Sequence, residues 1–228
     1  MIIKASVSAL PPENKREQAK AKTRKALLKS ALRLYSKEGA KGMSMNKVAK
    51  GAGIAQPSFY NHFASLGALE TELSEQLKES YLAPLRSSWM SMMRDFDTLN
   101  QQETFDDRCR HCLSMIFDAA FLNIELFQHL VEDRPRVMSS TTDPSMQGLS
   151  NLITEIQHEW SDIFIQGLEL SGRSFQTSQV NLCVDMAAAQ VHELILGCHQ
   201  QRYSREQAIT VLCTSFNSLF IGLFSPNN

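Results

Sequence analysis

The sequence predicts an all-α protein with a small N-terminal helical domain and a larger C-terminal one. Apolar residues recur at spacings of three and four through most of the chain, which is the period of amphipathic helices. No useful stretch alternates apolar and polar residues as a strand does. Ten Gly and seven Pro among 228 residues are few for a β-sandwich or barrel. We predict a loose tail over residues 1–14, a first domain over 15–65 and a second over 66–228.

The composition excludes several classes of protein. Hydrophobic residues make up 43% of the chain and charged residues 21%, which favours a packed core over disorder. No apolar run reaches the roughly 18 residues of a membrane span, and the N-terminus lacks the pattern of a secretory signal. Five cysteines, an odd number, argue against a disulfide framework. We therefore expect a cytoplasmic protein.

Charge is distributed unevenly along the chain. Residues 1–68 contain 13 Lys and Arg against three Asp and Glu, a net charge of +10. The remainder contains 10 and 21, a net charge of −11. A basic N-terminal region on an acidic body is typical of a module that binds a polyanion. The alternative is a solvated, charged helix surface.

The N-terminal domain contains a short helix pair joined by a glycine turn. A first helix over about 15–37 ends at Gly39. Ser44 is a suitable N-cap for a second helix, which stops at the Gly51–Gly53 turn, and a third helix follows over 56–63. This order matches a helix-turn-helix, in which the later helix enters the major groove of DNA.

The residue types on this helix pair suit DNA contact. We expect Val48, Ile54, Phe59 and Phe63 to form the shared core. Gln and Asn can pair with adenine edges, whereas Tyr and His tips can reach phosphate oxygens. Basic residues before the motif can act as an arm. The predicted DNA-binding residues are Lys22, Arg24, Ser44, Lys47, Gln56, Pro57, Ser58, Tyr60, Asn61 and His62. The alternative is a helical hairpin without a role in DNA binding.

The second domain is predicted to contain helices only. Ser65 can cap a helix whose apolar stripe is Leu66, Leu69, Leu73 and Leu77, and which should break or kink at Pro84. Further helices are expected over about 103–122, 123–132, 149–170, 178–201 and 204–224. The polar stretch 133–146 contains two prolines and is typical of a loop.

The last two helices carry apolar stripes with heptad spacing, which is typical of helices packed in a four-helix bundle. We predict that two copies of the chain form a homodimer through these stripes. The predicted interface residues are Val184, Ala187, Val191, Leu194, Cys198, Leu212, Phe216, Leu219 and Leu223. The alternative is that both stripes face the core of one chain.

Bulky apolar side chains in the body suggest a pocket for a small hydrophobic ligand. The predicted lining residues are Met115, Phe117, Phe121, Phe127, Trp160 and Phe164. The alternative for most of them is an ordinary core position. A phosphorylated ligand would also need cations, for which the body offers Arg108, Arg110, Arg134 and Arg136.

Motifs of catalytic or metal sites are incomplete or absent. Cys109 and Cys112 form one C-x-x-C pair without the second pair of a zinc site. Glu155 and His158 form half of a di-iron motif. The chain has no P-loop, no nucleophile elbow and no dinucleotide fingerprint. We expect no enzyme activity, no metal and no cofactor; cysteine-based redox sensing is an alternative function.

The N-terminal motif resembles the TetR family of transcriptional repressors. The resemblance covers residues 20–70 and is carried by Ala52-Gly53-Ile54 and by Phe59-Tyr60-Asn61-His62-Phe63. It implies an all-α homodimer whose N-terminal helices bind a palindromic double-stranded operator and whose body binds an effector. One departure is Ser65-Leu66-Gly67, where the family often has Ser-Lys-Glu with the lysine on a phosphate.

Residues 52–63 are further similar to the repressors of unsaturated fatty acid synthesis, the FabR and DesT type. This similarity implies that the effector is a fatty acyl-CoA and that the target genes serve fatty acid metabolism. The predicted function is thus a repressor released or tuned by a small hydrophobic effector. The alternatives are a redox-sensing regulator and a helical adaptor that does not bind DNA.

Overall fold

The computed structural model describes residues 12–94, 102–134, 148–170 and 174–224. Within these ranges the fold consists of nine α-helices and contains no strand. Their bounds are α1 Pro12–Gly42, α2 Met45–Gly51, α3 Gln56–Phe59, α4 Leu66–Arg94, α5 Gln102–Leu122, α6 Ile124–Glu132, α7 Leu152–Leu170, α8 Thr177–His199 and α9 Arg205–Phe224. The predicted all-α fold is confirmed. We call α1–α3 the head and α4–α9 the body.

The first helix extends further than the sequence predicted. It begins at Pro12, where the missing N–H of proline costs nothing, so the predicted loose tail is wrong for residues 12–14. Residues 1–11 lie outside the described ranges. Gly39 has φ 63°, so the regular helix stops where the sequence predicted. A Cβ at Gly39 would lie 2.9 Å from Nδ1 of His129, which leaves room only for glycine.

The head and the body share one hydrophobic core. Leu27, Ala31 and Tyr35 of α1 are buried in it together with Leu126 and Leu130 of α6. The carboxylate of Asp133 accepts a hydrogen bond from the backbone N of Ala40 at 2.8 Å. Helix α6 therefore holds the head, together with Leu69 and Leu73 of α4 in the same core.

The rest of the body is built from two layers of packed helices. Helix α4 packs along α7, α7 packs on α8, and α5 packs against α9, which pairs with α8. The predicted break at Pro84 is wrong, because α4 continues through it to Arg94. The long contact with α7 offsets the hydrogen bond that proline removes. No described helix is both long and apolar enough to cross a bilayer.

Candidate nucleic-acid interface and internal cavity

Helices α2 and α3 are joined by a tight turn whose geometry follows from the local sequence. The Ser44 hydroxyl accepts a hydrogen bond from the backbone N of Lys47 at 3.3 Å and caps α2. Gly53 has φ 75°, in the left-handed region that favours glycine. The predicted N-cap and glycine turn are therefore present.

The inner face of this helix pair is anchored by aromatic and aliphatic side chains. Val48, Ala49 and Phe59 are fully buried, and Phe63 is nearly so. The rings of Phe59 and Phe63 lie 5.8 Å apart. Ile54 is partly buried against the same core. Because α3 buries only Phe59, its other side chains remain available to a partner.

The outer face of α3 and of the turn after it is polar and exposed. Gln56, Pro57 and Asn61 are exposed, and Tyr60 has 58% of its surface open to solvent. Ser58 is half-buried. Four of these five predicted contact residues thus lie on one accessible surface, all except Ser58. The amide groups of Gln56 and Asn61 on this surface can form hydrogen bonds with a partner.

His62 lies at the edge of this surface and is half-buried. Its Nδ1 is buried and has no hydrogen-bond partner among the described residues. Burial, together with the positive charges of Lys20 and Arg24, lowers the pKa of His62 below its usual value. The ring is therefore neutral at pH 7, and it can reach a phosphate only as a neutral N–H donor.

The predicted basic contacts fall into two groups. Lys22 is exposed on α1. Arg24, by contrast, forms an ion pair with Glu72 of α4, donates to the backbone carbonyl of His62, and lies 4.0 Å above the ring of Phe63. Lys47 is exposed but pairs with Glu38 at 2.7 Å. The structure thus gives Arg24 a bracing position between head and body.

Other cations of α1 face solvent near the same end of the molecule. These exposed residues are Lys20, Lys25, Lys29, Arg33 and Lys37. A row of exposed cations beside an exposed amide-bearing helix is suited to a phosphate backbone with bases next to it. The sequence-derived charge asymmetry therefore corresponds to an accessible surface.

The helices of the body surround a partly open cavity of about 190 Å³. It is lined by side chains from all six helices of the body, including Phe127, Trp160 and Phe164, as predicted. No Lys, Arg, Asp or Glu of the described residues lines it. Its polar side chains are Asn123, Gln157 and His192, besides the thiols of α5. The cavity suits an apolar ligand with few hydrogen-bonding groups.

Three residues predicted to line a pocket lie elsewhere. Phe117 is fully buried in the core formed by α5, α8 and α9. Phe121 stacks on Phe117 with the ring centroids 6.5 Å apart and is 41% exposed. Met115 is half-buried and is also outside the cavity. These residues were chosen for bulk, whereas α5 turns Cys112, Leu113 and Ile116 toward the cavity instead.

Four of the nine residues predicted to form a dimer interface are buried within their own chain. Val184, Ala187, Val191 and Leu212 are buried by their own protomer. Val184, Ala187, Val191 and Phe216 line the cavity. Leu194, Cys198 and Leu219 are half-buried, and the side chain of Leu223 lies outside the described set. The buried residues are therefore not available to a second chain. For these residues the structure agrees with the alternative, in which the stripes face the core of one chain.

The opposite faces of α8 and α9 expose apolar side chains. Leu182 and Met186 on α8 are 59% and 43% exposed. Val211 on α9 is 58% exposed. Large apolar side chains on an exposed helix face are a usual feature of protein interaction surfaces. The sequence analysis missed these residues, although they step by four along α8.

The two cysteines of the C-x-x-C pair are free thiols on α5. Cys109 and Cys112 are buried and free, and the hydrogen-bond partner of the Cys109 thiol is Cys213 of α9. That hydrogen bond and burial raise the pKa of Cys109, and burial raises the pKa of Cys112. Buried thiols with raised pKa values are poor nucleophiles. Among the described residues, no cluster of His, Cys, Asp and Glu is arranged to hold a metal ion.

Comparison with known proteins agrees with the geometry of the head. Residues 27–69 match the family model described as bacterial regulatory proteins, tetR family. These residues include the helix pair α2 and α3, so the likeness to this family lies in the head. A 77-residue stretch is 34% identical to the HTH-type transcriptional regulator AcrR of Shigella flexneri, covering 34% of this chain. That alignment spans only about a third of the relative, 35% of its length.

Solved structures of TetR-family regulators share the whole fold. A tetR-family transcriptional regulator from Streptomyces coelicolor aligns with TM-score 0.61 and 17% identity, over 89% of this chain and 82% of that one. The fatty acid degradation regulator FadR from Bacillus halodurans aligns with TM-score 0.51 and 14% identity, over 89% and 95%. At these identities the likeness establishes the fold alone.

Sequence reasoning missed the polar residues of the cavity. Asn123, Gln157 and His192 were not among the predicted ligand-contacting residues. Asn123 is the N-cap of α6. Gln157 interrupts the stripe of Ile153, Trp160 and Phe164 on α7, and His192 lies between Ala188 and Ile195 on one face of α8. A polar residue within a buried stripe is the signal that could have identified them.

Proposed function

We infer that this chain is a DNA-binding transcriptional repressor, in which α3 enters the major groove of a palindromic operator. The observation that carries this inference is the exposed face of Gln56, Tyr60 and Asn61 on a helix anchored by Phe59. The exposed cations of α1 lie on the same head and can contact phosphates. Amide side chains at such a position discriminate adenine from other bases.

A homodimer would present two heads to the two half-sites of an operator. The exposed apolar residues Leu182, Met186 and Val211 are the candidates for this interface. We propose them in place of Val184, Ala187, Val191 and Leu212, because those four residues are buried and stabilise the protomer. The proposed interface is thus still formed by α8 and α9, but through the exposed faces that lie opposite the buried stripes.

The cavity would hold a small hydrophobic effector. Its apolar walls support this assignment. Fatty acid metabolism is the proposed setting, because of the similarity of residues 52–63 to repressors of fatty acid synthesis. The proposed class of effector is a compound with a fatty acyl chain, either an acyl-CoA or the free acid. The structural likeness to a fatty acid degradation regulator agrees with this setting. Since no cation among the described residues lines the cavity, only the acyl part of such a ligand would lie inside it.

Helix α6 provides a physical route from the cavity to the head. Leu126 and Leu130 line the cavity and also pack in the core shared with α1. Asn123 lines the cavity and donates from Nδ2 to the Ser36 hydroxyl of α1 at 2.9 Å. A ligand that displaces α6 would thus change the position of the head, and so the affinity for DNA.

The test is an electrophoretic mobility shift with DNA flanking the gene of this protein. Asn61→Ala and Gln56→Ala should change sequence preference, because their amides face the bases. Gln166→Ala, at an exposed position of α7, is the matched control and should change nothing. An acyl-CoA series then tests the effector class. If the protein binds DNA only weakly, without a specific band and without a loss of affinity at high salt, it is instead an adaptor.

A further inference from the structure

Three polar side chains line the otherwise apolar cavity besides the thiols of α5, namely Asn123, Gln157 and His192. Asn123 is already engaged, because its Nδ2 donates to Ser36 and its Oδ1 accepts from the backbone N of Leu126 at 3.1 Å. Gln157 of α7 and His192 of α8 remain as the polar side chains that can face a ligand. Polar groups in an apolar cavity are costly unless a partner satisfies them.

The orientation of the Gln157 amide is set by a neighbouring cation. Nη1 of Arg134 donates to Oε1 of Gln157 at 3.3 Å. A guanidinium has only donors, so the amide must turn its oxygen toward it, and its NH₂ group is left to donate. Arg134 lies directly behind the cavity wall and does not line it.

His192 adds a second donor to the cavity wall. Its ring lies edge-to-face with Phe127, with the centroids 5.8 Å apart. Burial and the positive charge of Arg134 lower the pKa of His192 to about 4, so at pH 7 it carries one N–H donor.

We propose that the cavity binds a medium-chain monocarboxylate, with its carboxylate at Gln157 and His192 and its chain among Ile116, Trp160 and Phe164. This proposal rests on the cavity being the effector site proposed above. Two neutral donors backed by a guanidinium are complementary to a carboxylate, which accepts only. No described acidic side chain lines the cavity to oppose it.

The size and charge of the cavity favour a free acid over a coenzyme A ester. An apolar cavity of roughly 150 Å³ is known to bind benzene, and this one has about 190 Å³. It therefore accommodates a tail slightly larger than one aromatic ring. The phosphates of coenzyme A would have no described cation on the cavity wall to pair with. A thioester also has only a neutral carbonyl to offer to the donors.

The experiment is a calorimetric titration of the full chain with octanoate, 1-octanol and octanoyl-CoA. The alcohol has the same tail without the charge, so the ratio of the two affinities measures the head-group contact. We expect octanoate to bind at least tenfold more tightly than octanol, as charge-assisted hydrogen bonds provide. Octanoyl-CoA should bind more weakly than octanoate.

Arg134→Gln should lower octanoate affinity about tenfold and leave octanol affinity unchanged, which also shows that the variant folds. Arg110→Gln is the matched control, because that arginine pairs with Glu206 on the surface. It should change neither affinity. His192→Phe should likewise weaken octanoate more than octanol.

Equal binding of octanoate and octanol would overturn the carboxylate assignment while leaving the effector cavity in place. Tighter binding of octanoyl-CoA that survives Arg134→Gln would also overturn it, since the head group would then lie elsewhere. Binding of none of the three compounds would contradict both the assignment and the cavity as an effector site for hydrophobic acids.

Discussion

The head and the body each expose one helix face, and the two faces differ in chemistry. Helix α3 buries Phe59 and exposes amide and hydroxyl groups, whereas α8 buries Val184 and exposes Leu182 and Met186. Polar groups on a small rigid unit suit a hydrated, charged partner such as DNA. Apolar groups on a long helix suit another protein surface. The comparison indicates that each region is built for a different kind of partner.

The interiors differ as well. Val48 and Phe59 of the head are fully buried and do not line the cavity, whereas the helices of the body surround it. A close-packed region resists change, and a region with a void can repack around a ligand. The rigid unit therefore presents the DNA-facing residues, and the adaptable one is suited to sense a ligand.

The largest expected effect is a difference in the loss of stability when a phenylalanine of the head or of the body is replaced by alanine. Phe59→Ala should lower the free energy of unfolding by about 3–5 kcal/mol, because it removes a fully buried ring from the head. Phe127→Ala should cost roughly 2 kcal/mol, because that ring already borders a cavity. Urea unfolding followed by circular dichroism measures both. Equal losses would contradict the difference in packing.

Acid should destabilise the body more than the head. The pKa of His192 is about 4 in the folded chain, below the usual value of 6.5, so the unfolded chain takes up the proton first. Above pH 6.5 the neutral His192 does not reduce the free energy of unfolding. As the pH falls from 6.5 toward 4, the free energy of unfolding decreases by about 3 kcal/mol. His192→Gln should flatten this part of the stability curve.

His62→Gln is the matched variant in the head. The pKa of His62 is also lowered, but this side chain is less buried than His192. Its removal should therefore change the slope of stability with pH less than His192→Gln does. Urea titrations at several pH values between 4 and 7.5 measure both slopes, and a larger change for His62→Gln would reverse the comparison.

The interface can be separated from the core on α8. Leu182→Glu should weaken dimerisation by roughly 2 kcal/mol, about 30-fold, since like charges would meet across a two-fold axis. The free energy of unfolding of the monomer should hardly change, because Leu182 is exposed. Val184→Ala should do the opposite. Sedimentation equilibrium and urea unfolding distinguish the two outcomes; a Leu182→Glu dimer of unchanged affinity would place the interface elsewhere.

The smallest effect concerns two basic residues of α1. Arg24→Gln removes an ion pair with side chains 38% and 29% exposed, so solvent screening limits the loss of stability to under about 1 kcal/mol. It should not change the salt dependence of DNA binding. Lys22→Gln should instead reduce the slope of log affinity against log salt by about 1. The reverse result would give Arg24 the phosphate contact.

The head was predictable because its signals are local in sequence. Ser44, Gly53 and Phe59 fix a cap, a turn and an anchor within 16 residues, and the structure has all three. What sequence could not give is the role of Arg24, because its partner Glu72 lies 48 residues away. A basic residue next to a DNA-binding motif resembles a phosphate contact until its partner is known.

The body was predictable as helices but not as surfaces. The stripe through Val184 and Val191 indicates that a face of α8 is covered, yet periodicity does not say by which chain. The pocket residues were selected by bulk, and Phe121 shows that a bulky side chain can point outward. The effect of Pro84 on α4 could not be predicted either, because it depends on the contact with α7 that keeps α4 continuous.

The most direct test of the account is a fluorescence anisotropy titration of DNA flanking the gene of this protein, performed from low to high salt. The account predicts specific binding that weakens steeply with salt, and a loss of preference over a scrambled duplex in Asn61→Ala but not in Gln166→Ala. Binding that is equal for both duplexes, insensitive to salt and unaffected by Asn61→Ala would contradict the assignment of α3 as the DNA-reading helix.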